Sequence, residues 1–191
     1  MINNIVIIGR PNVGKSTLFN RLAGKKLAIV GDEAGVTRDI REVGAKISFY
    51  DYKIFDTAGI DTFSKSKLKR EMTSNSISKV NEGNLVIFLL DGRSGILKDD
   101  FAVSNTLRKN NSQVILVVNK CEGNYKKEVF SDSFSLGFGE PILISAEHGL
   151  GLDELREAIL GRTQLNKDSK QVSIGVENNL ITESNKVDPP L

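Results

Sequence analysis

Four apolar residues, Ile5–Ile8, run without a break into Gly9-Arg10-Pro11-Asn12-Val13-Gly14-Lys15-Ser16, and a stripe of Leu18, Phe19 and Leu22 follows at once. The β-branched run reads as a buried strand, and Lys15–Ala23 reads as a helix that stops at Gly24. A strand that turns through glycines into a helix aims consecutive backbone N–H groups and the positive helix end at one spot, which suits an anion. Glycine, four residues, then Gly-Lys-Ser is the phosphate-loop pattern. Gly14 allows close backbone approach. Lys15 has the reach for β- and γ-phosphate oxygens, and the Ser16 hydroxyl suits Mg²⁺.

Two further runs, Leu85–Leu90 and Val114–Val118, are apolar on both faces, as in the central strands of a parallel sheet covered by helices on each side. Ile142–Ile144, after Pro141, looks like another. Val43–Phe49 differs: Val43, Ala45, Ile47 and Phe49 alternate with Gly44, Lys46 and Ser48, the period of a half-buried strand. Tyr50-Asp51-Tyr52 is then expected to turn the chain into Lys53–Asp56, a hairpin that adds one antiparallel edge strand. Helices are expected around Leu68, Met72 and Val80, over Asp99–Arg108 with Phe101, Val103 and Leu107 inward, and over Leu152–Leu160, ending at Gly161. The expected fold is a three-layer α/β/α domain with a mostly parallel six-stranded sheet and one antiparallel edge strand.

At 191 residues, 39% hydrophobic, the chain can bury one sizeable core. A net charge of +2 does not argue for a nucleic-acid or membrane partner. One cysteine, Cys121, forms no internal disulfide and favours a reducing compartment. The opening residues carry no signal peptide, and the apolar runs fall far short of a membrane helix. A cytoplasmic protein without a membrane partner is expected. Residues 1–162 are expected to form the domain, and 163–191, rich in Asn, Ser, Lys and Glu, a linker or disordered tail.

Asp56-Thr57-Ala58-Gly59 closes the hairpin, so the Asp56 carboxylate emerges beside the phosphate loop, where it can hold Mg²⁺, and the Gly59 N–H can meet a γ-phosphate. Asn119-Lys120-Cys121-Glu122 follows Val114–Val118. A carboxylate there accepts from N1–H and the N2 amino group of guanine, a donor pair that adenine lacks. The stem of Lys120 can lie over the base. Ser145-Ala146-Glu147 follows Ile142–Ile144, and the Ala146 N–H is the expected donor to guanine O6. Each motif sits at a strand's C-terminal end, where open α/β sheets bind ligands. Thr37, in Gly35-Val36-Thr37-Arg38-Asp39, is placed to join Mg²⁺ and γ-phosphate, which makes its loop a switch. Arg38 reads as a surface or structural residue, and Lys65, Lys67, Lys69 and Arg70 as a solvated basic face.

Taken together, Gly9–Thr17, Gly35–Asp39, Asp56–Gly59, Asp91–Gly95, Asn119–Glu122 and Ser145–Leu152 resemble the translation-factor-related bacterial GTPases, most closely the first GTPase domain of the Der (EngA) family. Phe134–Pro141 adds to that likeness, which covers residues 1 to about 162. It implies a P-loop NTPase G domain that binds GTP and GDP through Gly9–Thr17, Asp56–Ile60, Asn119–Glu122, Ser145 and Ala146. It also implies a role in maturation of the large ribosomal subunit, rRNA contact, and further GTPase and KH-like domains in a longer chain. Two residues depart from the family: Ala34 stands where proline is usual, and Glu122 where aspartate is usual.

Ile60 follows Asp56–Gly59 where Ras-like switches carry a glutamine that orients water, so slow hydrolysis is expected, resting on Lys15, Thr37, Gly59 and Mg²⁺. In related GTPases sharing Pro-Asn-Val-Gly-Lys-Ser, the asparagine binds a potassium ion that replaces an arginine finger, which assigns K⁺ stimulation to Asn12. The rival readings are a guanine-nucleotide binding module with negligible hydrolysis and a TrmE-type tRNA-modification GTPase.

Overall fold

The computed structural model describes residues 4–24, 41–56, 85–123 and 125–163. The expected helix around 68–80, the Thr37 loop, Thr57–Ile60, the basic cluster and the tail beyond 163 lie outside the described residues.

The described strands are β1 (Asn4–Ile8), β2 (Arg41–Ile47), β3 (Tyr50–Asp56), β4 (Leu85–Asp91), β5 (Gln113–Asn119) and β6 (Ile142–Leu143). They form one six-stranded sheet in the order β2-β3-β1-β4-β5-β6. Every neighbouring pair is parallel except β2 with β3. This is the expected mostly parallel sheet with an antiparallel edge. Helices α1 (Lys15–Ala23), α2 (Lys98–Lys109), α3 (Glu128–Ser133) and α4 (152–163) pack on it, and a single 3₁₀ turn, Phe134–Leu136, follows α3.

Alternate residues of the central strands feed two cores, one on each face. Ile5, Ile7, Ile54, Leu85 and Ile87 pack with Leu18 and Leu22 of α1 and Leu155 and Ile159 of α4. Val6, Ile8, Val86 and Phe88 pack with Val103 and Leu107 of α2, Val129 and Leu136. Each such side chain removed from water contributes about 1.5–3 kcal/mol, so strands apolar on both faces hold two helical layers to one sheet.

Three expectations change. The hairpin turns earlier than the alternation suggested: Ile47 pairs with Tyr50, and Ser48-Phe49 forms the turn with Ser48 at φ 55°. A two-residue turn with positive φ matches the twist of paired strands, so Phe49 leaves the apolar face and is 90% exposed. In α2 the inward stripe is Asp100, Val103, Ser104 and Leu107, and Phe101 is partly exposed. Asp100 takes the inward place because it pairs with Arg10, and Ser104 because its hydroxyl donates to Leu136 O at 3.0 Å. Helix α4 continues past Gly161. The Thr163 hydroxyl bonds Ile159 O and shares a buried hydrogen bond of 2.9 Å with the Tyr52 hydroxyl, which ties the helix end to β3.

Candidate functional site

The C-terminal ends of β1, β3, β4, β5 and β6 carry the sequence-predicted groups to one edge of the sheet. After β1 the chain turns tightly: a side chain at Gly9 would meet Leu89 O at 2.3 Å, and Gly14 starts α1 at φ 100°. Asn12 also takes a positive φ, 64°, and is exposed. Lys15 folds back over the loop, with Nζ donating to Gly9 O at 3.0 Å and Arg10 O at 2.8 Å. The ammonium is thereby held against the phosphate loop by two of its own carbonyls.

Ser16 and Asp56 meet as the sequence suggested. The Ser16 hydroxyl donates to Asp56 Oδ2 at 2.8 Å. Asp56 is fully buried, and its Oδ1 has no hydrogen-bond partner among the described residues. A buried carboxylate oxygen left without a donor or cation is costly, so this atom marks a place for one.

At the other end, Asn119 acts as a bridge. Its Nδ2 donates to Val13 O at 2.8 Å and its Oδ1 accepts from Ala146 N–H at 2.9 Å. The Ala146 N–H, expected to meet guanine O6, is therefore engaged by Asn119, because the amide fits between the phosphate loop and the loop after β6. Lys120, at φ 65°, reaches back along the site, with Nζ donating to Asn12 O at 2.6 Å and Asp91 Oδ2 at 2.7 Å. That course suits a stem covering a flat ring. Burial works against the ionised form of Asp91, yet Lys120 and the N–H groups of Arg93 and Ser94 outweigh it and hold the carboxyl below its ordinary range. Glu122 is likewise held low, first by the Ser145 hydroxyl beside it, with Arg93 adding to the effect against burial. Its Oε2 is buried without a hydrogen-bond partner among the described residues. Burial pushes the Cys121 thiol up to about 11, so it is a poor nucleophile at neutral pH.

A family model described as 50S ribosome-binding GTPase matches residues 4–120. The chain belongs to this family. GTPase Der of Bartonella bacilliformis is 47% identical over 156 residues, which is 82% of this chain and 33% of that protein. The chain thus spans about a third of the length of the curated relatives it matches, and it is a G domain of the Der type. Two crystal structures of Era share its fold at TM-score 0.66 and 31% identity, covering 84% of this chain and 56% of theirs. One is an Aquifex aeolicus Era variant bound to GDP·AlF4⁻, and the other is Era in complex with MgGDPNP and nucleotides 1506–1542 of 16S ribosomal RNA. These likenesses confirm the P-loop fold of the G domain and imply a guanine nucleotide as its ligand.

Three residues of the G domain, Arg21, Asp91 and Arg93, escaped the sequence reading of the site, and Arg10, read there as part of the phosphate loop, has partners it did not foresee. Arg10 enters the phosphate loop from a buried pair with Asp100 at 2.8 Å and also donates to Ser94 Oγ and Gly95 O. Arg21, on α1, donates to Ala146 O at 2.8 Å and to Glu147 O. Asp91 anchors Lys120, and Arg93 pairs with Glu122. Register would have found Asp91, since it lies opposite Asn119 at the ends of β4 and β5. The two arginines and their carbonyl partners leave no periodic signal.

Proposed function

We propose that this G domain binds GTP and GDP together with Mg²⁺, hydrolyses GTP slowly, and acts as a nucleotide-dependent switch in assembly of the large ribosomal subunit. One observation carries the reading: Asp56 Oδ1 and Glu122 Oε2, the two buried side-chain oxygens without partners among the described residues, belong to the predicted phosphate-end and base-end groups. Each is where a bound Mg-nucleotide supplies what the protein does not.

Ser16 and Asp56 present hydroxyl and carboxylate oxygens to each other, a donor set that suits a hard divalent cation, with Thr37 as the expected third contributor. Once bound, Mg²⁺ would neutralise charge on the β- and γ-phosphate oxygens. The N–H groups of Gly9–Thr17 and Lys15 orient the phosphates. Asp56–Ile60, with the Gly59 N–H, are assigned to the γ-phosphate, and Asn119–Glu122, Ser145 and Ala146 to the base. Ile60 offers no group to orient water, which favours a slow intrinsic rate. Asn12 is assigned a potassium ion that stimulates the reaction.

The family description, the relatives named Der and the rRNA-bound Era structure support a ribosomal RNA partner. That this chain spans about a third of its relatives' length supports further domains in a longer protein, which we take to be GTPase and KH-like domains of a cytoplasmic protein. No described helix is long and apolar enough to cross a membrane. The G domain is taken to span residues 1–162, with 163–191 as a linker or tail.

Phosphate release under excess GTP, measured in K⁺ and in Na⁺ with Asn12→Ala as control, tests the proposal. Slow release that K⁺ accelerates only when Asn12 is present is the expected result. Equal rates in both salts would remove the potassium role, and nucleotide binding without any release would leave a binding module.

A further inference from the structure

Glu122 carries one methylene more than the aspartate usual at its position, and with it one more rotatable bond and a longer reach. The structure shows what restrains it. Glu122 Oε1 accepts from the Arg93 guanidinium at 2.5 Å, while Oε2 is buried near the Ser145 hydroxyl without a hydrogen-bond partner among the described residues. Arg93 is itself placed by Asp91, whose Oδ1 accepts the Arg93 N–H at 2.8 Å and whose Oδ2 takes Lys120 Nζ at 2.7 Å. One carboxylate at the end of β4 therefore positions both the lysine expected over the base and the arginine that holds the base-reading group.

The charges around Glu122 call for such a partner. Glu147 and His148 bring ligand atoms within 4.8 Å of its carboxylate, so a second acidic group faces it directly. Arg93 supplies a cation on the opposite loop, and the Glu122 side chain is only 15% exposed, where solvent screens poorly. The Glu122 carboxyl is held below its ordinary range, first by the Ser145 hydroxyl and then, in keeping with this arrangement, by Arg93.

We propose that Arg93 is a positioning residue for base recognition: it pins one oxygen of Glu122 so that the carboxylate is presented to the N1–H and amino donors of guanine despite its extra methylene. This rests on the guanine-reading role proposed above for Glu122. A charge-assisted hydrogen bond holds the acceptor in one rotamer, so the nucleotide does not have to order it on binding. An aspartate, shorter by a methylene, falls back from Arg93 and has less to gain from it.

The test is calorimetric binding of GDP, IDP and ADP to the full chain and to Arg93→Ala, Arg93→Lys, Glu122→Asp and the double variant Arg93→Ala/Glu122→Asp. Arg93→Ala is expected to weaken GDP about tenfold, the scale of one charge-assisted hydrogen bond, and to leave ADP unchanged. Arg93→Lys recovers part of the loss. Inosine lacks the amino group, so the GDP-to-IDP ratio also narrows in Arg93→Ala. In the Glu122→Asp background the same arginine substitution costs less than about twofold. A purely structural role would lower the melting temperature and shift all three nucleotides together; Arg93 is more than half exposed, so no such drop is expected. An unchanged or tightened GDP affinity in Arg93→Ala overturns the inference, the latter by showing that Arg93 competes with the base. A wild-type chain that binds ADP as well as GDP instead overturns the guanine-reading role itself.

Discussion

Replacing Asn119 with alanine removes the amide that joins the phosphate loop to the loop after β6. The wild-type side chain is 3% exposed and makes two good hydrogen bonds, from Nδ2 to Val13 O at 2.8 Å and to Oδ1 from Ala146 N–H at 2.9 Å. Alanine leaves a buried carbonyl and a buried N–H unpaired, each costing about 1–3 kcal/mol. Water entering the vacated space recovers part of that. The expected net loss is about 3 kcal/mol, seen as a lower urea midpoint at unchanged slope in the nucleotide-free domain. For a domain of this size it corresponds to a fall of about 6–12 °C in melting temperature. Asn119→Asp separates the two bonds: it keeps an acceptor for Ala146 but sets a carboxylate oxygen against Val13 O, and it should be at least as damaging. A loss below about 1 kcal/mol in nucleotide-free Asn119→Ala would refute the reasoning, since the bridge would then matter only once a nucleotide is bound.

Asp100→Ala strands Arg10, which is 11% exposed, without its carboxylate. A loss of about 3 kcal/mol in urea unfolding is expected, with weaker phosphate-end binding, because breaking a buried pair leaves an uncompensated charge. Acid titration tests the base end. Asp91 and Glu122 both ionise more readily folded than unfolded, so their stabilisation is complete above their ordinary values of 3.8 and 4.5 and is lost as pH falls below them. Unfolding of Asp91→Asn should therefore differ from wild type at pH 7 and approach it as pH falls below the ordinary value of 3.8, a pattern that equal pH slopes would contradict.

The sheet was legible because a strand buried on both faces must be continuously apolar, and Ile5–Ile8, Leu85–Leu90 and Val114–Val118 have no other use for that pattern. Phe49 misled for the same reason in reverse. Period-two alternation says which residues share a face but not where a hairpin folds back, and the two-residue turn at Ser48-Phe49 interrupts it. Asp100 was hidden because a stripe of apolar residues cannot announce a buried acid whose partner, Arg10, is ninety residues away. Of the site, the phosphate loop and the pairing of Ser16 with Asp56 followed from motif and strand order. The ties between motifs run from side chain to backbone carbonyl, and a carbonyl has no sequence identity to read. Asn119 to Val13 and Arg21 to Ala146 are of that kind.

Those ties bear on how the site works as a unit. Among the described residues three side chains cross between its two ends: Asn119 to Val13 O, Lys120 to Asn12 O and Arg21 to Ala146 O. A side chain added at Gly14 would meet Asn119 Nδ2 at 2.3 Å, so the phosphate loop and the base loop are in contact as well as bonded. Groups coupled this closely should not respond to substitution independently. A change in the phosphate loop is felt by the residues assigned to the base, and the reverse. The described part of the site is then one that accepts a guanine nucleotide as a whole, with Lys120 running from its base-reading motif to the loop assigned to the phosphates.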